Sequence, residues 1–295
     1  MHKVRSVTAV FAKTLVLLAL LLACSACAWL DTKQRQIIYR PTPAPSEGTV
    51  AALPFWQTND ARLFLRVPGH TEQQVALWWL PHTDPLAPTL LYLHGTFRNL
   101  LGNQPKIEAL RQAGFSILAV DYRGWGQSTS ITPSEQSIIE DALLAWGELV
   151  RREPRTAQRV IYGHSMGSGV AVALASQLNS PADFGALILE SAFTSFADIA
   201  AEAGFWASLA IRFNHERFAS IDRITRIKAP LLMLHGALDR TVPMLLGQRL
   251  FAAANEPKEW VMIGAGQHSD LHRVGQPTYQ ETIAAFKSRY LSQPQ

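Results

Sequence analysis

Three side chains in this sequence could together cut an acyl bond: Ser165, Asp239 and His268. A serine hydroxyl is a weak nucleophile at neutral pH, so it needs a base within hydrogen-bond reach and an acid to orient that base. Ser165 sits in Gly163-His-Ser-Met-Gly167, directly after the apolar run Val160-Ile-Tyr162. Such a run ending at a serine bracketed by glycines reads as strand, tight turn and helix. The strained turn makes the hydroxyl project, and larger residues at 163 and 167 would collide. Asp239 follows the apolar run that ends at His235, and His268 follows the last such run, Trp260-Val-Met-Ile263. Serine, acid and base thus each fall just past a predicted strand. Acyl transfer also needs donors for the developing oxyanion, for which the backbone amides of Met166, opening the helix after the turn, and Thr96 are the candidates.

The competing residues are weaker. Glu190 ends the strand after the serine turn and is the alternative acid. Asp270 is too close in sequence to His268 to orient it easily. Asp121 and Arg123 suit the turn after their own strand. Among the nine histidines, His94, His164 and His235 lie at strand ends or in the serine turn, where packing and turn roles are commoner, and His272 suits a loop surface. No phosphate loop, dinucleotide fingerprint or metal-ligand cluster occurs, so neither cofactor nor metal is expected.

The elements that must position these groups alternate along the chain. Residues 62–67 and 75–80 read as two antiparallel strands, and Thr89-Leu-Leu-Tyr-Leu93 as a strand covered on both faces. A helix is expected over 105–113, a strand over 115–120, and a capping box at Thr132-Pro-Ser-Glu135. From there Ile138, Ile139, Ala142, Leu143, Trp146 and Val150 recur at helical spacing. Helices over 166–178, 242–254 and 279–290 interleave with strands over 186–190, 230–235 and 260–263. Repeated βα units predict an α/β, mostly parallel, doubly wound sheet. Only residues 191–228 break the alternation. Holding Phe193, Phe196, Phe205, Trp206, Phe213 and Phe218, they read as a small helical cap insert whose aromatics line an acyl pocket or glue the insert down.

Composition narrows the function. A chain of 295 residues, 48% hydrophobic and 17% charged, can bury a sizeable core. Three of its 27 basic residues, Lys3, Arg5 and Lys13, precede Cys24 with no acidic residue among them. The remainder is nearly balanced against 23 acidic residues, which gives no electrostatic reason to expect nucleic acid. Both cysteines, Cys24 and Cys27, lie near the start, so the globular part has no thiol nucleophile or disulfide. The basic Met-His-Lys-Val-Arg, the apolar Thr14–Leu22 and Leu21-Leu-Ala-Cys24 resemble the bacterial lipoprotein signal. That resemblance implies residues 1–23 as signal peptide and a lipid on Cys24, with Cys27 the lesser candidate. Ser25 after the cysteine implies an outer-membrane, periplasm-facing location in the bacterial cell envelope. Residues 24–54, with Pro41, Pro43 and Pro45, are expected to be a tether and entry segment, and 55–295 the catalytic domain.

Taken together, His94-Gly95, Asp121-Tyr-Arg-Gly-Trp-Gly-Gln-Ser128, Gly163-His-Ser-Met-Gly167, Glu190-Ser-Ala-Phe-Thr-Ser195, His235-Gly-Ala-Leu-Asp239 and Gly264-Ala-Gly-Gln-His268 resemble the α/β-hydrolase superfamily. They are most similar to its short-cap branch of depalmitoylases and aminopeptidase-like or lysophospholipase-like hydrolases. The resemblance implies Ser165 as nucleophile, Asp239 as acid, His268 as base, and cleavage of a small carboxylic ester or thioester through an acyl-enzyme. A peptidase, a cofactor-free peroxidase and a non-catalytic envelope binding protein are the alternatives. Thr96-Phe97-Arg98 departs from the small residues that relatives often have beside the oxyanion loop, which bears on pocket width.

Overall fold

The computed structural model describes residues 18, 25–26, 28–45, 50, 54–204 and 216–291. Cys24 and Cys27, the basic N-terminus, and Phe205, Trp206 and Phe213 of the insert lie outside them. Among the described residues no helix is long and apolar enough to cross a membrane.

Eight strands form one sheet in the order β1-β2-β4-β3-β5-β6-β7-β8. The strands are β1 (Ala61–Val67), β2 (His70–Leu80), β3 (Thr89–Leu93), β4 (Ser116–Asp121), β5 (Arg159–His164), β6 (Ala186–Glu190), β7 (Leu231–Gly236) and β8 (Lys258–Ile263). β2 pairs antiparallel with β1 and β4, and the other five pairings are parallel. Successive side chains of a strand point to opposite faces. Accordingly Leu91 and Leu93 of β3 enter one apolar cluster, with Trp146, Val170 and Phe193, while Leu90 and Tyr92 enter the other, with Ile107, Ile283 and Phe286. Both faces are covered, which is why the central strands read as unbroken apolar runs.

The helices over the sheet are α1 (Leu100–Gln112), α2 (Glu135–Arg152), α3 (Met166–Ala175), α4 (Phe196–Glu202), α5 (Met244–Ala253), α6 (Leu271–Val274) and α7 (Thr278–Tyr290). Two boundaries differ instructively from the sequence reading. α1 begins at Leu100 and runs through Pro105, because Asn99 caps it by accepting from the Gly102 amide. α2 is capped by Ser134, whose side chain exchanges hydrogen bonds with Ser137, and not by the expected box at Thr132. Either serine or threonine there can cap; packing of Ile138, Ala142 and Trp146 on the sheet selects Ser134.

Ahead of the sheet, residues 28–39 form a helix that stops before Pro41. Its last residue, Tyr39, is fully buried and donates from its hydroxyl to Glu216 in the insert. Tyr39 meets Phe196 and Phe218 at ring-centroid distances of 6.4 and 6.5 Å. The described part of the insert therefore packs on the entry segment as well as on the sheet.

Candidate active site

β5 delivers Ser165 to the carboxyl edge of the sheet. Its backbone has φ 56° and ψ −126°, a conformation that costs energy for any residue with a side chain and persists only where the surroundings impose it. Here they do. A Cβ on Gly163 would lie 2.2 Å from the Gly167 carbonyl oxygen, and one on Gly167 would lie 2.0 Å from that of Leu93. Only glycine lets β5, α3 and β3 approach this closely. The turn is tied further by the Ser165 amide donating to the Glu190 carbonyl at 3.0 Å.

The loop after β7 brings Asp239 and the loop after β8 brings His268 to the same edge. His268 Nε2 lies 2.8 Å from Ser165 Oγ, and His268 Nδ1 lies 2.9 Å from Asp239 Oδ2. All three residues predicted from their positions after strands are thus joined in one hydrogen-bonded chain. Asp239 Oδ1 accepts the amides of Thr241 and Val242, each at 2.9 Å. Burial pushes the Asp239 carboxyl upward, but the His268 hydrogen bond and charge, the Val242 amide and the Ser191 hydroxyl outweigh it and hold the group below the usual carboxylate range.

The other nominated residues take different places. Glu190 is fully buried, paired with Lys106, and accepts from the hydroxyls of Tyr162 at 2.5 Å and Tyr279 at 3.2 Å. Asp270 accepts the Gln267 amide and approaches Arg273. Arg123 reaches beyond its turn to grip Asp141 of α2 at 2.7 Å. Asp121 accepts the first amide of α1, from Leu100, at 2.9 Å. His235 faces the Val242 carbonyl at 3.0 Å. His164 does more than pack: its Nε2 contacts the His268 carbonyl at 2.8 Å, a carbonyl that Ser191 Oγ also approaches at 3.3 Å. Sequence reasoning missed this grip on the His268 backbone, because it joins residues about a hundred positions apart and no local spacing signals it.

Met166 is the first residue of α3, where backbone amides have no intrahelical acceptor. The loop at Gly95 and Thr96 runs against Ser165, with the Thr96 carbonyl held by Trp125 Nε1 at 2.8 Å. Two cavities meet at the serine. One of about 220 Å³ is lined by Ile38, Met166, Phe193, Phe196 and Ile199. The other, about 520 Å³, is lined by Arg98, Lys106, His268, Asp270, His272 and Arg273. Among the described residues no group of three or more His, Cys, Asp or Glu side chains is placed to hold a metal ion.

An antiparallel start, a parallel sheet and a serine on the turn into a helix define the α/β-hydrolase class. Solved structures share that architecture. The esterase Pf2001 of Pyrococcus furiosus superposes with a TM-score of 0.67 at 18% identity, over 86% of this chain and all of that one. An acylaminoacyl peptidase of Pyrococcus horikoshii superposes at 0.62 and 16% identity, over 85% of this chain and 45% of that one. In sequence, residues 85–220 match the family model described as serine aminopeptidase, S33. An uncharacterized protein of Mycobacterium tuberculosis is 34% identical over 257 residues, spanning 86% of this chain and 87% of that protein. The lysophosphatidylserine lipase ABHD12 of Danio rerio is 34% identical over 232 residues, spanning 72% of this chain but 58% of that protein. The chain belongs to the α/β-hydrolase superfamily, among its serine hydrolases.

Proposed function

We propose that this protein is a lipid-anchored hydrolase that cleaves a carboxylic ester or thioester through an acyl-enzyme formed on Ser165. The observation that carries the reading is the hydrogen-bonded chain from Ser165 through His268 to Asp239. His268 takes the serine proton as Oγ attacks the acyl carbon, and Asp239 stabilises the imidazolium that forms. The amides of Thr96 and Met166 bind the oxyanion, each such donor contributing about 3 kcal/mol to transition-state stabilisation. The leaving group departs with the proton from His268, and water then releases the acid by the reverse sequence. The acyl chain occupies the cavity beside Phe193 and Phe196, whose lining is almost wholly apolar.

The family model's description and the acylaminoacyl peptidase neighbour favour peptide cleavage as a second reading. An aminopeptidase needs an unpaired carboxylate to bind the substrate ammonium. The carboxylates near the larger cavity are already engaged: Glu190 by Lys106 and two tyrosines, Asp270 by Gln267 and Arg273. Ester or thioester cleavage therefore leads. A lipid on Cys24 would tether the domain to the membrane facing the periplasm.

Labelling the purified protein with a fluorophosphonate beside Ser165→Ala tests the nucleophile. Labelling of the parent alone, with hydrolysis of p-nitrophenyl esters, is the expected result. Equal labelling of both proteins, or of neither, sinks the assignment.

A further inference from the structure

Successive side chains of a helix point about 100° apart, so neighbours at the end of the helix over residues 28–39 meet different surroundings. Tyr39 enters the core and Ile37 is 67% exposed. Ile38, between them, is half-buried and lines the 220 Å³ apolar cavity that Ser165 borders. Phe193 and, on α4, Phe196 and Ile199 line the same cavity. Among its described lining residues Ile38 alone comes from ahead of the sheet. It also stands ahead of residues 85–220, which carry the family match, so this wall is added from outside that match.

The wall is fixed from several directions. Tyr39 donates to Glu216 of the insert, whose carboxylate also accepts the Glu135 amide at the start of α2. The Tyr39 ring lies 6.2 Å from that of Trp125, the residue that holds the Thr96 carbonyl. Arg40 then turns the chain with φ 44°, a left-handed conformation that a residue with a side chain keeps only where its surroundings impose it. Beyond the turn, the Gly126 amide donates to the Thr42 carbonyl and the Ala44 amide to the Gly126 carbonyl, each at 2.9 Å. Asn99, the α1 cap, donates to the Pro43 carbonyl at 3.2 Å. Part of the stretch expected as a tether is therefore laced to the insert, to the turn after β4 and to the loop beside Thr96. With the backbone at 38 set in this way, the volume of its side chain subtracts directly from the space left for a ligand.

We propose that Ile38 is a specificity-determining residue: the entry helix closes one wall of the acyl cavity, and the bulk at position 38 sets the acyl chain that Ser165 accepts. The proposal rests on the assignment of the apolar cavity to the acyl chain above and deepens it. Removing or restoring one or two methylene-sized spaces in an apolar pocket discriminates substrates about 10- to 200-fold, so a single side chain suffices to shift the profile.

The test measures kcat/KM on p-nitrophenyl acetate, octanoate and dodecanoate, using the full chain in a fixed amount of detergent. Ile38→Trp should lower the octanoyl-to-acetyl ratio about 10-fold or more. Ile38→Ala should raise dodecanoyl turnover relative to octanoyl, and should return part of the octanoyl preference that Ile199→Trp removes, which a purely structural role would not do. Ile37→Trp, one residue away on the exposed side, should leave the parental profile. A profile unmoved by both Ile38 substitutions, or moved as much by Ile37→Trp, overturns the proposal; if Ile38→Trp does not fold, the Ile38→Ala profile decides. Where the parent turns over no ester, the hydrolase reading has failed and calorimetric titration of octanoate into Ser165→Ala decides instead. Binding weakened by adding Ile38→Trp but not Ile37→Trp supports the wall. No binding, or binding that both weaken alike, overturns it.

Discussion

The carboxylate of Glu190 is paired with Lys106 beneath the cleft, while the imidazole of His268 turns to Asp239 at 2.9 Å. Glu190 ends β6 and Asp239 lies in the loop after the neighbouring β7, and the two acids have different hydrogen-bond partners. Glu190 also receives two tyrosine hydroxyls, so its charge is spent holding α1, β5 and α7 to the sheet.

Asp239→Asn should cut kcat on an activated ester by about 10³- to 10⁴-fold, because an amide stabilises the wrong imidazole tautomer. Glu190→Gln should instead leave Lys106 as a buried, uncompensated cation and cost about 3 kcal/mol of stability. Denaturant melts together with initial rates resolve the two. A large rate loss confined to Glu190→Gln would show that Glu190 is the acid.

Ile199→Trp places bulk in the apolar cavity from a half-buried position on α4. At about 220 Å³ that cavity exceeds the ~150 Å³ apolar cavity that accommodates a benzene, so it suits a medium acyl chain. The variant should lose at least about 10-fold in kcat/KM for octanoyl relative to acetyl esters, the discrimination expected for removing space from an apolar pocket. An unchanged chain-length profile would place the acyl chain elsewhere.

His94 and Asp121 face each other in the interior, with His94 Nε2 3.5 Å from Asp121 Oδ1 and no other partner on that nitrogen among the described residues. Burial lowers His94 to about 4 and raises Asp121 to about 7. Between pH ~4 and ~6.5 the unfolded chain carries the proton on histidine, whose ordinary value is about 6.5, and the folded chain carries it on the aspartate. Proton counts match, so this pair contributes little pH dependence there. His94→Gln should unmask the aspartate: the folded state then binds the extra proton, and stability falls as pH rises towards about 7. Asp121→Asn should do the opposite, with stability rising from pH ~4 to ~6.5, at up to about 1.4 kcal/mol per pH unit. Thermal melts at pH 5 and 7.5 should show these opposite slopes. Parental slopes in both variants would rule out the exchange.

Cys24→Ser should move the protein from the membrane to the soluble fraction after cell breakage if a lipid on that cysteine is the tether. Fractionation and mass measurement of the N-terminal peptide check this. An unmoved distribution would transfer the anchor to Cys27 or to the uncleaved apolar segment.

Period and punctuation in the sequence determined the fold. Unbroken apolar runs as short as Leu90–Leu93, bounded by turn residues, read as strands covered on both faces, and the helical recurrence from Ile138 to Val150 marks a crossover. That Ser165, Asp239 and His268 meet was legible because α/β sheets collect the residues that follow their strands at one edge. What lies across the chain was not legible. Glycine at 163 announced a tight turn, but not that the Gly167 carbonyl fills the space a Cβ would need. Nothing in the order of residues assigned Glu190 to Lys106, His164 to the His268 backbone, or Arg98 to the side of Ser165 that His268 occupies. Those pairings depend on how loops from different strands turn once the sheet has twisted and packed. Local sequence sets each turn's geometry; only closure of the whole core sets which turns meet.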